Sequence, residues 1–341
     1  MLPSLDLLTV VILSRDRRSE LQKTINYYGL NSISTIVLHK TQDPFKKSDL
    51  PKNCRYFSSQ LSYAERCSLV PKLLDTPYAI LATDDERYLP LSLQAMLLQL
   101  KKQKNHGSVG GINLAIAKYG WLCTATPTFT YLKNYKNYQD SFYARATLHF
   151  DQSKNGVRVG AMYRMYAANN FEKLMVSFSL CDDISTPYIF ECIAEISSLS
   201  FGPIKYIPNL YWLRNWINQM ASYTDWNRGN SFTHWWMNPL NQNRVMKLKN
   251  DLLSNLEIQP SELDYSIQLI LRNRIESDSK NIKQAKKLVL NDNIKLIIRI
   301  FTGLHNLPPK FQQALKELKN EGIEFSNHEV RLAIKSMLKS N

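Results

Sequence analysis

The chain has 341 residues, 44% of them hydrophobic, and 43 basic against 29 acidic side chains give a formal net charge of +14. This composition excludes a disordered or fibrous chain, and five scattered cysteines without paired ligand spacing exclude a disulfide framework or a zinc cluster. A positive surface attracts nucleotides, phosphates and anionic membrane faces alike, and does not choose among them.

The first predicted element is a buried strand over Leu7 to Leu13, a continuous β-branched run. It follows Asp6, with no basic leader or small-residue cleavage site, and no apolar run approaches a membrane span. The expectation is a cytoplasmic protein, with peripheral attachment at the inner membrane face as a variant. Ser19 opens a helix with Leu21, Ile25 and Tyr28 on one face, and Ile33 to Leu38 is the next strand, which completes a βαβ unit. Arg55 to Ser58 reads as a short strand, and Tyr63 to Leu74 as a helix with Ala64, Cys67, Val70 and Leu74 at helical spacing.

Thr76 to Ala82 then climbs as an apolar strand and ends in Thr83-Asp84-Asp85-Glu86. Adjacent carboxylates raise one another's pKa and destabilise a fold unless a cation lies among them. Ligands of open α/β sheets bind beyond the carboxyl ends of the strands, where these acids stand, and Mg²⁺ or Mn²⁺ prefers carboxylate oxygens. The pattern favours a metal and diphosphate site over a merely acidic loop.

Leu91 to Lys104 is an amphipathic helix and Ser108 to Ile112 a strand, so the alternation predicts an α/β fold with a doubly wound, mostly parallel sheet and flanking helices. Asn113 to Asp151 reads as irregular with a hairpin. Thr147 to Phe150 and Val157 to Tyr163 read as strands around a Lys154-Asn155-Gly156 turn. Phe171 to Phe178 and Pro187 to Leu199 are helical, and Lys205 to Leu213 is a strand containing Pro208. Trp212, Trp216, Trp226, Trp235 and Trp236 either stack on a sugar or pack internally, packing being the commoner role. Residues 1–240 form the expected catalytic domain. Residues 241–341 form an expected helical C-terminal region, a separate bundle whose basic faces are solvated surface or dock on anionic lipid, a partner or a sister subunit. Ile282 to Ile300 and Phe311 to Leu318 are its clearest helices.

The first strand, reading Thr9-Val10-Val11-Ile12-Leu13-Ser14-Arg15-Asp16-Arg17, the Arg-containing helix and the Thr76-Pro77-Tyr78 strand with its acids together resemble the GT-A fold glycosyltransferases of the family 2 type, in their bacterial surface-glycan branch. The resemblance covers about the first two-thirds of the chain and rests on the order and spacing of these motifs. It implies a metal-dependent, inverting transfer from a nucleoside-diphosphate sugar to a glycan or lipid-linked glycan. Ser14, Arg15, Asp16, Arg66, Asp84 and Arg214 would meet the donor nucleotide or diphosphate. Asp85 and Glu86 would hold Mn²⁺ or Mg²⁺, and Arg164 would lie near the donor sugar or acceptor. Glu191 matches the catalytic base best, with Glu195 and Asp183 as alternatives. His39-Lys40 stands where many members carry a base-recognising acid, so a UDP-sugar is only the default donor.

Two other classes stand beside this one. A nucleotidyltransferase would share the metal carboxylates, but the first strand lacks a glycine-rich phosphate loop. A nucleic-acid-binding protein would explain the charge, but the basic residues are spread and carry no recognised signature, so no specific nucleic-acid partner is expected.

Overall fold

The computed structural model describes residues 3–103, 105–119, 122–127, 139–152, 160–181, 187–215, 232–272 and 309–338. The apolar runs of the first half pair as parallel strands. β1 (Leu8–Arg15), β2 (Ser34–Lys40), β3 (Cys54–Ser59) and β4 (Tyr78–Ala82) lie side by side in the order β3-β2-β1-β4, with α1 (Arg18–Leu30) and α2 (Tyr63–Leu73) among their connections.

The second half adds β5 (Arg87–Tyr88), α3 (Pro90–Lys102), β6 (Ser108–Tyr119), β7 (Leu122–Pro127), α4 (Phe142–Gln152), β8 (Met165–Ala167), α5 (Ala168–Ser179), α6 (Pro187–Ser200) and β9 (Ile204–Asn215). The nine-stranded order is β3-β2-β1-β4-β8-β6-β9-β5, with β7 paired to β6. β8 is antiparallel to both its neighbours, whereas β6 and β9 are parallel. The α/β class, the sheet with flanking helices and the C-terminal helices are all as the sequence predicts.

Successive side chains of a strand face opposite ways, and this splits the core in two. Val11, Ile36, Leu38, Ala79 and Leu81 point to one face, Val10, Ile12, Val37, Ile80 and Ala82 to the other. The first face is covered by α2, α4, α5 and α6, and by α7 (Phe232–Met237), α8 (Gln242–Leu256) and α9 (260–272). The second is covered by α1, α3, α10 (Pro309–Asn320) and α11 (Asn327–Leu338). The described helices after residue 241 therefore do not form a bundle of their own. Val245, Leu248 and Leu252 belong to one core, Leu318, Val330 and Ala333 to the other, because each amphipathic stripe finds a sheet face already apolar.

Two local expectations are corrected. Thr147 to Phe150 belongs to α4 rather than to a strand: Phe142, Ala146 and Phe150, four residues apart, are all buried on one helical face. Asn113 to Tyr119 continues β6, and the hairpin to β7 follows it. At Gly111 the backbones of β6 and β9 approach so closely that a Cβ would lie 2.7 Å from the Asn209 carbonyl oxygen. Ile282 to Ile300 lies outside the described residues.

Candidate active site

β8 pairs with β4 only up to Ile80, so beyond that point the sheet opens between β4 and β6. β4 and β5 stand four places apart in the sheet, about 19 Å if it were flat, yet only residues 83–86 join them. The sheet curls, and Thr83-Asp84-Asp85-Glu86 crosses its C-terminal edge. All three acids are buried, at 4 to 6% exposure.

Each acid is met from a different element. The β1/β4 register, with Ile12 opposite Ala82, carries Ser14 beside Asp84, and the Ser14 hydroxyl donates to Asp84 Oδ2 at 2.6 Å. Asp16 has φ 53°, a left-handed conformation that Asp tolerates better than most residues, and it turns the chain from β1 into α1. Arg17 follows that turn and forks across two acids, Nη1 to Asp84 Oδ1 at 2.6 Å and Nη2 to Asp85 Oδ2 at 2.7 Å. Thr83 Oγ1 donates to Asp85 Oδ1 at 2.9 Å. On the far side Arg87 and Tyr88 pair with Leu213 and Trp212 of β9, which sets Arg214 beside Glu86, Nε to Oε1 3.4 Å.

Burial, against the opposing effects of Arg17 and Ser14, raises the Asp84 carboxyl to about 6. Burial likewise pushes Glu86 up to about 8 despite Arg214. Glu86 Oε2 and its neighbour, the Trp212 indole N–H, are both buried without a hydrogen bond of ordinary geometry. The segment is braced from behind by Arg87, fully buried, which donates to Thr24 Oγ1, the Glu86 carbonyl and Ser336 Oγ of α11.

Tyr163 closes the corner. It ends a short 3-10 turn before β8 and stacks on Trp212 with ring centroids 4.2 Å apart. Its hydroxyl is held un-ionised by burial first, then by the nearby Glu86 and more weakly by Glu191 and Asp85, against the opposing charge of Arg214. Glu191, half-buried on α6, lies within electrostatic reach of the Tyr163 hydroxyl.

The other expected site residues are distributed differently. Ser14, Asp84, Asp85, Glu86 and Arg214 converge, and Glu191 lies within electrostatic reach of Tyr163 beside them. Arg15 and Asp16 are solvent-exposed and pair with each other at 3.3 Å. Arg66 is on the buried face of α2, 3% exposed, and donates to the carbonyls of Ser14, Leu38 and Ser62, so it ties the ends of β1 and β2 to α2. A guanidinium so enclosed is not presented to a diphosphate. Arg164 and Glu195, expected near the sugar and as an alternative base, instead form a buried pair at 3.2 Å, each 1% exposed, so neither side chain is open to an acceptor or a sugar in this structure. Glu195 also takes His149 Nε2 at 2.9 Å and the N–H groups of Gly160 and Ala161. Burial would raise its pKa, but Arg164 and His149 outweigh that and hold it at about 2. Asp183 lies outside the described residues.

Arg17 stands in the first-strand motif but is not among the expected site residues. The signal available was its place at the entry to the first helix after β1, where a side chain faces ligands beyond the sheet edge. Trp212 packs internally, as the commoner role of tryptophan predicts.

The chemistry of the donors suits a hard divalent cation: carboxylate oxygens, one of them, Glu86 Oε2, buried without a hydrogen bond of ordinary geometry. Among the described residues, however, no three His, Cys, Asp or Glu side chains stand at metal-ligand spacing. A cation drawing on Asp85 would have to displace Arg17 from it. No helix among the described residues is long and apolar enough to cross a membrane.

No protein-family model matches this chain, and no curated protein does. Among solved structures it is similar to TarS of S. aureus, with 8% identity over 78% of this chain and 53% of that one, TM-score 0.41. It thus spans about half the length of that TarS chain. The crystal structure of TarS 1-349 gives 8% identity, 81% and 91% coverage and a TM-score of 0.41. The same fragment in complex with UDP-GlcNAc gives 8%, 81%, 92% and 0.40. At these values the likeness assigns no residue a role.

Proposed function

We propose that this chain is a glycosyltransferase that moves a sugar from a nucleoside-diphosphate sugar to a hydroxyl of a glycan or lipid-linked glycan. The observation that carries this reading is the corner itself: three buried acids at the C-terminal edge of β4, with Arg17 and Arg214 on them, and a half-buried Glu191 within electrostatic reach of Tyr163 beside them. Breaking an anomeric bond leaves a diphosphate that gathers charge, and a cation site beside guanidinium groups stabilises that charge as it forms. Asp85 and Glu86 would hold Mn²⁺ or Mg²⁺, which when bound neutralises the leaving diphosphate. Asp84, fixed by Ser14, faces the nucleotide side, and Arg214 stands ready for the phosphate.

Glu191 is the base in this reading. It takes the proton of the acceptor hydroxyl as that oxygen attacks the face of the sugar opposite the diphosphate, so the anomeric configuration inverts. Its partial exposure suits a group that an acceptor must reach. Glu191→Gln is expected to lower transfer by roughly a hundredfold or more while nucleotide affinity stays within about twofold. Equal losses in both would remove Glu191 from the chemistry.

The direct test is a thermal-shift screen of nucleoside diphosphates and nucleotide sugars with and without Mn²⁺. At a concentration a hundred times Kd, a ligand that binds only the folded state adds about 2.7 kcal/mol. For a chain of this size that raises Tm by roughly 4 °C. At least one nucleotide should do so, and more with Mn²⁺ than with EDTA; a flat response to all of them would defeat the proposal.

A further inference from the structure

Arg17 holds the position that a cation would need. Its fork takes one oxygen of Asp84 and one of Asp85, while Ser14 and Thr83 take the other two, so all four oxygens of the pair are engaged. The acids are nearly enclosed, with side chains 5% and 8% exposed, but the Arg17 side chain is 35% exposed. It hangs from the turn before α1, where it makes no side-chain cap. Arg87 is fully buried behind the segment, and Arg66 and Arg214 are also more firmly committed. Arg66 is buried on three carbonyls, and Arg214 lies on Glu86 and over the Trp212 ring at 5.4 Å. Arg17 is therefore the arginine of this corner best placed to move.

We infer that Arg17 is an exchangeable counter-ion, which neutralises Asp84 and Asp85 in the absence of donor and transfers to the diphosphate when a divalent cation takes its place on the acids. The inference rests on the glycosyltransferase reading above. Its physical basis is charge balance. Two adjacent carboxylates repel unless a cation lies between them, and a guanidinium released from them gains most beside a new anion within reach of its stem. The cation alone has to break the fork without compensation, and the diphosphate alone finds the guanidinium already engaged. Bound together, each supplies what the other lacks. By linkage the effect is reciprocal: the diphosphate tightens the cation by the factor by which the cation tightens the diphosphate.

The test measures binding rather than turnover. Mn²⁺ is titrated by the paramagnetic resonance signal of the free ion, and UDP and GDP by calorimetry, on the full chain and on Arg17→Gln and Arg17→Lys. Arg17→Gln should bind Mn²⁺ alone about tenfold tighter than the parent, because the competing cation is gone. It should also lose about tenfold of the mutual enhancement between Mn²⁺ and the nucleotide. Arg17→Lys, which keeps the charge but cannot bridge both carboxylates, should fall between, and melting curves establish that each variant is folded.

If Arg17→Gln binds the nucleotide but shows unchanged or weaker Mn²⁺ affinity, the exchange is wrong and the glycosyltransferase reading stands. If the parent binds the nucleotide as tightly in EDTA as with Mn²⁺, Arg17 is a standing cation and the exchange is again overturned. If the folded parent binds neither UDP nor GDP under any condition while other nucleotides also leave its Tm unchanged, the glycosyltransferase reading falls and takes the exchange with it.

Discussion

Asp85→Asn is expected to lower sugar transfer by on the order of a hundredfold to a thousandfold, with little change in Tm. The substitution keeps the shape and leaves Oδ1 to accept from Thr83, so the crossing segment stays in place. It removes the charge that answers Arg17 at 2.7 Å and that a divalent cation would need. Loss of turnover with a normal melting curve, set beside the thermal-shift response to nucleotide and Mn²⁺, distinguishes a chemical from a structural role. Full activity in Asp85→Asn and in Glu86→Ala together would take the acids out of the mechanism.

Glu195→Gln should instead unfold the protein more readily without touching the chemistry directly. The side chain is 1% exposed and neutralises Arg164, also 1% exposed, in a network completed by His149, Ser198 and Tyr206. Removing one partner of such a pair leaves a buried charge uncompensated, at a cost of about 3 to 5 kcal/mol, or a fall in Tm of roughly 4 to 7 °C. The pH dependence gives a second readout. The carboxyl is held at about 2 when folded against an ordinary 4.5, so its contribution is fully present above about pH 4.5 and is lost as the pH falls towards 2. The Tm of the parent should drop more steeply than that of Glu195→Gln between pH 5 and pH 3. Parallel slopes would show that Glu195 is not the anchor of this network.

The contrast between these two acids shows how far a sequence can be read. Glu191 and Glu195 lie on one apolar helix, one turn apart, and either is a plausible base on composition alone. One turn decides everything: Glu191 is only half-buried, while Glu195 points into the protein, where Arg164, 31 residues away, waits for it. Arg66 and Arg17 make the same point in reverse. The helical spacing of Ala64, Cys67 and Val70 could have warned that Arg66 shares their buried face. No local pattern says that Arg17 reaches Asp84 and Asp85, 67 and 68 residues on.

By itself the sequence determined the parallel strands β1, β2 and β4, because a run buried on both faces must be apolar throughout, and it placed three acids at the end of β4, because a strand's polar terminus must leave the core. Tertiary structure alone decided which charges those acids meet. Neutralisation of a buried carboxylate depends on distances of a few ångströms between segments remote in the chain, and these are fixed by sheet order, register and curl. Hence Ser14, Arg17 and Arg214 gather at the corner, while Arg66 and Arg164 are drawn into the scaffold that holds it.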